Sequence, residues 1–154
     1  MTASASSWRP PRIVRPVAIG VVHRRNQLLL MKVRDHSGAT KGWRPLGGTI
    51  DFGELASDAL KREFLEELGA PVGEPVLLSV FESLFTHNGA MGHEIVFAFE
   101  TSFINPEDYQ RESFEFVDGG VANEVEWVDL QRFRAGIDLL FPDNLLRDID
   151  RRAT

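Results

Sequence analysis

Residues 55–68 have the apolar spacing of a helix, and strand-like segments precede and follow them. Leu60, Phe64 and Leu68 are four residues apart, so they form one stripe that we expect to face the core. Gly69 stands where helices often end. A chain with one long helix between groups of strands is predicted to be an α/β protein of the α+β type, with helices packed on the faces of a mixed sheet.

The rest of the chain is mostly strand-like. Apolar runs between turn signals predict strands at 14–23, 27–33, 76–85, 93–103 and 124–128. Loops are expected at 35–42 and 105–122, and an irregular segment is expected at 43–53, which is rich in Gly and Pro. A helical turn is expected from residue 130, and a C-terminal helix over about 142–151.

The length of 154 residues suits one domain, which we expect at 12–154 after a flexible tail at 1–11. The chain has no cysteine, which excludes disulfides and thiolate metal sites and fits a cytoplasmic protein. No apolar run is long enough to cross a membrane. The net charge of −6 argues against binding to nucleic acid. An acidic protein that handles a phosphorylated substrate needs a cation to neutralise the phosphates, and a divalent metal ion is the obvious candidate.

Three glutamates, Glu63, Glu66 and Glu67, are placed by their spacing on one face of the predicted helix. Such a cluster is unfavourable, because like charges at i, i+4 cost about 0.2–0.5 kcal/mol and the C-terminal end of a helix disfavours negative charge. Charge runs of this kind are most often solvated surface. The alternative is a cation site, and Mg²⁺ prefers oxygen ligands.

The residues around these glutamates decide between the two interpretations. Residues 48–70 follow the pattern G-x5-E-x7-R-E-U-x-E-E-x-G-U, in which U is a bulky apolar residue. The fixed positions are filled by Gly48, Glu54, Arg62, Glu63, Glu66, Glu67 and Gly69. This segment resembles the signature of the Nudix hydrolases, and the likeness extends over about residues 14–130.

The sequence departs from that signature at three places. Ala70 is small where the pattern has a bulky residue, and Leu55 stands where a capping Ser or Thr is frequent. Many members of the family also have a proline directly before the two glycines, whereas here Leu46 separates Pro45 from Gly47.

The resemblance implies a Nudix-like α/β/α sandwich with a central mixed sheet, a catalytic loop-helix-loop, and Mg²⁺ or Mn²⁺ as cofactor. The implied metal ligands are the Gly48 carbonyl and the carboxylates of Glu63, Glu66 and Glu67. Arg62 is expected to pair with Glu54 and to hold the helix glutamates in position. One of those glutamates, or a carboxylate outside the motif, accepts the proton of the attacking water. The outside candidates are Glu94, Glu112, Glu115, Asp118 and Glu124, of which Glu115 is favoured.

The implied substrate is a nucleoside diphosphate derivative or a related small organic pyrophosphate. Candidate substrate-binding residues are Trp43, Arg44, Phe85, His93 and Glu115, although core packing or surface charge also explains such residues. The alternative function is a ligand-binding sensor of the same fold with little catalysis. An isomerase of prenyl diphosphates is disfavoured because it needs a reactive cysteine. Homodimers are common in the family, so a homodimer is a possible state.

Overall fold

In a computed structural model, which describes residues 6–153, strands surround one central helix. The first strands are β1 (Val14–Val21), β2 (His23–Arg24), β3 (Gln27–Arg34), β4 (Thr40–Arg44) and β5 (Leu46–Thr49). Helix α1 (Ala56–Glu63) follows and continues as a π-helical turn (Phe64–Leu68). The remaining elements are β6 (Val76–His87), β7 (Ala90–Glu100), a 3₁₀ turn (Pro106–Gln110), β8 (Ser113–Asp118), β9 (Val121–Asp129), α2 (Gln131–Arg134) and α3 (Leu145–Arg152).

The strands form two sheets. Sheet A has the order β5-β1-β7-β6, and sheet B has the order β2-β3-β9-β8 with β4 also paired to β3. Strand β1 runs antiparallel to β5 and parallel to β7, so sheet A is mixed. Residues of α1 belong to one buried core cluster, and residues of α2 and α3 belong to the other. The predicted α/β/α arrangement is therefore confirmed.

Helix α1 lies directly on β1. The predicted core stripe of Leu60, Phe64 and Leu68 is buried. A Cβ atom added at Gly20 of β1 would lie 2.9 Å from the Phe64 ring and 3.0 Å from Leu60, so the absence of a side chain there permits the close approach. This contact fixes the helix, and with it the glutamates, relative to the sheet.

We expect Phe64→Ala to lower the free energy of unfolding by about 3–5 kcal/mol, because it leaves a cavity under the helix. The neighbouring Leu65 is exposed, and Leu65→Ala is the matched control, with an expected change within about 0.5 kcal/mol. Urea denaturation of the two variants measures the difference. Equal losses in both would contradict the packing described here.

Two segments that were predicted to lack regular structure contain strands. Residues 43–53 contain the end of β4 and all of β5, and residues 105–122 contain β8 and the start of β9. Pro45 lies between β4 and β5, where the chain passes from sheet B to sheet A, so its missing N–H breaks no strand ladder. The alternation of buried Phe114 and Phe116 with exposed neighbours on β8 explains why that segment is a strand despite its polarity.

The described part of the predicted N-terminal tail is attached to the fold. Ser6 donates a backbone hydrogen bond to Asp35, and the Asn88 side chain donates to the carbonyl groups of Ser6 and Trp8. The rest of the predicted tail, residues 1–5, lies outside the described residues. Among residues 6–153, no helix has both the length and the apolar character to span a membrane.

Candidate active site

Two glycines of β5 make close approaches, Gly48 to helix α1 and Gly47 to strand β1. A Cβ atom at Gly48 would lie 2.5 Å from Oε1 of Glu63, so the Glu63 carboxylate occupies the space that a side chain would need. At Gly47 the added Cβ would lie 2.0 Å from the backbone oxygen of Ala18 on the paired strand. The displaced proline therefore does not separate Gly48 from the helix glutamates.

Arg62 connects the loop before α1 to the helix. Its Nε and Nη2 atoms donate to the two carboxylate oxygens of Glu54 at 2.8 and 3.0 Å, and Nη2 also donates to the Thr49 carbonyl at 3.2 Å. Nη1 donates to Glu63 at 3.0 Å. The hydrogen bonds from Arg62, with one from the backbone N–H of Asp51, lower the pKa of Glu54. The expected contact between Arg62 and Glu54 is thus present.

The π-helical turn leaves Glu66 more exposed than the other two glutamates. A π-helix advances by roughly 80° per residue rather than 100°, so over three residues Glu66 rotates away from Glu63, whereas Glu67 returns to its face. The Glu66 side chain is 62% exposed, against 14% for Glu63, and its carboxylate lies 3.4 Å from Arg62. Nη1 of Arg62 nevertheless contacts both Glu63, at 3.0 Å, and Glu66, at 3.4 Å, so the two carboxylates remain neighbours around one cation.

Glu63 and Glu67 form a close carboxyl pair. The pKa of Glu67 is raised to about 8. The largest cause is burial, followed by the charge of Glu63 and a hydrogen bond with it, and then by the charge of Asp118, whereas the charge of Arg44 opposes the shift. A proton held between the two groups relieves their repulsion in the absence of a cation. Within residues 6–153, no three acidic or histidine side chains are grouped so as to hold a metal ion in this conformation.

Glu67 lies at the edge of a small cavity of about 100 Å³ between the helix and sheet B. The cavity is lined by Met31, Arg44, Leu46, Gly47, Glu67, Phe116, Asp118 and Asn123. Arg44 keeps solvent-exposed surface, but the protein atoms crowded around its guanidinium group desolvate it and lower its pKa. An arginine begins from so high a pKa that it remains a cation. The cavity thus combines one cation and two carboxyl groups in a lining that is mostly polar.

The structure brings only Arg44 of the five candidate substrate residues to this cavity. Trp43 precedes Arg44 on β4 and points to the opposite face, where it is buried in the core on the side of α2 and α3. Phe85 packs over Gly92 in the β6–β7 hairpin. His93 lies on β7 beside Glu82.

Glu115, the expected carboxylate outside the motif, also points away from the cavity. It is exposed, and it lies between Phe114 and Phe116, whose side chains face the core. Because side chains alternate along a strand, Asp118 shares the inward face with Phe116 and lines the cavity. Asp118 therefore replaces Glu115 as the outside carboxylate nearest to Glu67.

Sequence reasoning missed most of the cavity, because its walls come from the segment predicted as a loop. Phe116, Asp118 and Asn123 belong to the hairpin of β8 and β9, which turns at Gly119 and Gly120. The available signal was the alternation of apolar and polar residues over 113–118, followed by a glycine pair.

Comparisons with known proteins agree with this architecture. A NUDIX domain model matches residues 14–148. A NUDIX hydrolase from Nitrosomonas europaea superimposes with a TM-score of 0.65 at 20% identity, over 90% of this chain and 87% of that one. A MutT protein from Methanosarcina mazei Go1 gives 0.62 at 17% identity, over 97% and 99% of the two chains. A search of curated proteins returned no match. At these identities the likeness to solved structures shows the fold.

Proposed function

The chain belongs to the Nudix family, and from this premise we propose that it is a divalent-metal-dependent hydrolase. Its proposed substrate is a nucleoside diphosphate derivative or a related small organic pyrophosphate, and the bond cleaved is the diphosphate linkage. The observation that carries the proposal is the carboxyl pair of Glu63 and Glu67, of which Glu67 lines a cavity together with Arg44. We expect this activity in the cytoplasm, since the chain contains no cysteine.

The residues of the site fit a divalent cation. The charge of Glu63 helps to raise the pKa of Glu67, so a positive ion between the two carboxyl groups would relieve this repulsion. Their oxygens and the Gly48 carbonyl beside Glu63 are the donor type that Mg²⁺ and Mn²⁺ prefer. Glu66 is the remaining proposed ligand, and it is exposed and held only by a long contact with Arg62. We propose Mg²⁺ or Mn²⁺ as the cofactor.

The proposed reaction is attack of water on one phosphorus atom of the diphosphate. The oxygen of water bonds to phosphorus, the bridging P–O bond breaks, and the leaving phosphate takes its electron pair. When bound, the metal ion offsets negative charge on the phosphate oxygens and makes water more acidic. Glu67 accepts the proton from the attacking water, because its carboxylate lines the cavity beside Arg44.

Arg44 is the proposed contact for the phosphate groups, because it is the cation that lines the cavity next to Glu67. Asp118 and Asn123 supply hydrogen-bonding groups in the same cavity, whose accessible lining is mostly polar.

The experiment that tests the function is phosphate release from a panel of nucleoside diphosphate derivatives and nucleoside triphosphates. Each compound is incubated with Mg²⁺ or Mn²⁺, with and without added phosphatase, and free phosphate is measured. We expect release from one class of compound, and loss of release when the cation is chelated. Nucleotide binding by calorimetry without hydrolysis in either metal would reject the hydrolase in favour of a sensor.

We expect Arg62→Ala to lower kcat by about 10–100-fold, because it removes the contacts that hold Glu54 and Glu63. Arg62→Lys is the matched control, since it keeps the charge but cannot bind both Glu54 oxygens at once, and it should recover only part of the rate. Steady-state kinetics of the two variants tests this role. Unchanged kcat in Arg62→Ala would exclude it.

A further inference from the structure

The segment before the first strand, residues 6–10, lies at the end of sheet A where β6 turns into β7, and we call it the N-terminal arm. Asn88 in that turn donates to the carbonyl groups of Ser6 and Trp8 at 2.8 and 2.9 Å. Its side-chain oxygen accepts from the backbone N–H of His36 at 2.8 Å. Asn88 has a φ of 49°, a left-handed conformation that asparagine tolerates better than most residues. One side chain thus fixes the arm to the sheet.

The Trp8 ring of the arm is held on two sides and is still half exposed. The Arg15 guanidinium carbon lies 5.4 Å from the ring centroid, and the His87 ring centroid lies 5.8 Å from it. Trp8 is nevertheless 45% exposed, whereas Trp43 and Trp127 are 7% and 9% exposed. A tryptophan that is fixed in orientation without being buried offers a rigid apolar surface to a planar ligand.

His87 places a hydrogen-bond donor beside this ring. The Lys41 ammonium group lies 3.1 Å from Nδ1 of His87, and because an ammonium group only donates, Nδ1 accepts and Nε2 carries the ring proton. Burial, followed by the charge of Lys41, lowers the pKa of His87, so the ring is neutral at neutral pH. Within residues 6–153, Nε2 has no hydrogen-bond partner and every buried side-chain nitrogen has one, so Nε2 reaches the surface although His87 is only 5% exposed.

The surroundings of the arm extend to Arg44. Arg44 ends β4, where the chain passes from sheet B to sheet A. Lys41, the neighbour of His87, is three residues earlier on the same strand, on the order of 10 Å away. Burial lowers the pKa of Arg44 most, and the next causes are the charge of Glu94, which opposes the shift, and that of Arg15, which adds to it. Arg15 also donates to Glu94. One small molecule can therefore reach both the arm and the proposed phosphate contact.

We propose that Trp8 stacks on the organic group of the substrate, so that the N-terminal arm selects a nucleobase over a sugar or an isoprenoid chain. This inference rests on the diphosphate substrate proposed above. Trp8 supplies the stacking surface, and Nε2–H of His87 donates to a ring nitrogen or a carbonyl oxygen at the edge of the base. An isoprenoid chain has no such acceptor and a sugar has no planar face, so neither uses both groups.

Binding of hydrolysis-resistant nucleotides tests this contact apart from the reaction. The probes are methylene-bridged analogues of the adenosine, guanosine, cytidine and uridine diphosphates, with methylenediphosphonate as the probe that lacks a base, all with Mg²⁺. In calorimetry, Trp8→Ala should bind the nucleotide analogues about 5–150-fold more weakly, the range for loss of one base–aromatic stack. It should bind methylenediphosphonate as tightly as the wild type. Trp8→Phe is the matched control, because it keeps an aromatic ring and should retain most of the affinity.

Tryptophan fluorescence gives a readout that a merely structural role would not change. Because Trp43 and Trp127 are buried, quenching by a bound nucleotide analogue should come from Trp8 and be absent in Trp8→Phe, although that variant still binds. Asn88→Gly keeps the left-handed backbone but releases the arm. It should weaken binding of the same analogues and make Trp8 more accessible to quenching by acrylamide.

Three results would overturn the proposal: equal affinity of the wild type and Trp8→Ala for the nucleotide analogues, no quenching in the wild type, or no binding of any nucleotide analogue. The failure of the proposed function has a different signature. A protein that binds the analogues with quenching of Trp8, but hydrolyses no compound of the diphosphate panel, would reject the hydrolase and retain the contact between Trp8 and the base.

Discussion

Glu67→Gln is expected to lower turnover by about 10²–10⁴-fold, the range for loss of a general base. The amide keeps the shape of the side chain but cannot accept the proton of the attacking water or carry the negative charge of a metal ligand. The measurement is phosphate release at saturating Mg²⁺, with the wild type alongside.

The control for this variant is Glu107→Gln, which makes the same chemical change at an exposed position on the 3₁₀ turn. It should retain full activity. Circular dichroism should show that both variants are folded, because Glu67 contributes no apolar packing to the core. Full turnover in Glu67→Gln would remove Glu67 from the proposed mechanism.

Without divalent cations, the protein is expected to lose stability as the pH rises from about 5 to 8. The pKa of Glu67 is about 8 in the fold against an ordinary value of 4.5, so the folded state binds the proton more tightly than the unfolded state. This contribution is fully present below pH 4.5 and is lost as the pH rises through 8. Because the site is partly open to water, we expect a loss of about 1–3 kcal/mol.

Thermal unfolding in the presence of a chelator measures this effect. For a chain of this size, the loss corresponds to roughly 2–4 °C in Tm for each kcal/mol. Glu67→Gln cannot ionise, so it should remove this part of the pH dependence and be more stable than the wild type at pH 8. Added Mg²⁺ should stabilise the wild type at pH 8 and have little effect on the variant. Parallel pH profiles for both proteins would contradict the shifted pKa.

Local sequence patterns were sufficient for much of the fold. The spacing of Leu60, Phe64 and Leu68 gave the buried side of the helix, because four-residue spacing depends only on helix geometry. The hairpin of β6 and β7 was also predictable from two apolar runs that flank Asn88 and Gly89. The resemblance to the Nudix signature implied the pair of Arg62 and Glu54, and the two side chains are in contact.

The cavity was not predictable in the same way. Its walls come from β3, β4, β5, the π-helical turn and the β8–β9 hairpin, so its composition depends on contacts between distant parts of the chain. The outward rotation of Glu66 follows from the change to π-helical geometry, which apolar spacing does not reveal. Glu115 was favoured over Asp118 because residues 105–122 were predicted as a loop, where strand alternation gives no guide to side-chain direction.

The parallel pairing of β1 with β7 sets an order of events during protein synthesis. Arg15 of β1 and its partner Glu94 of β7 are 79 residues apart in the chain. A nascent chain that ends before β7 therefore leaves β1 without one of its two neighbours, even when α1 has already been made. Sheet A can be completed only after residue 100 has left the ribosome. Stalled or truncated chains therefore leave the β7-facing edge of β1 unpaired and are expected to aggregate.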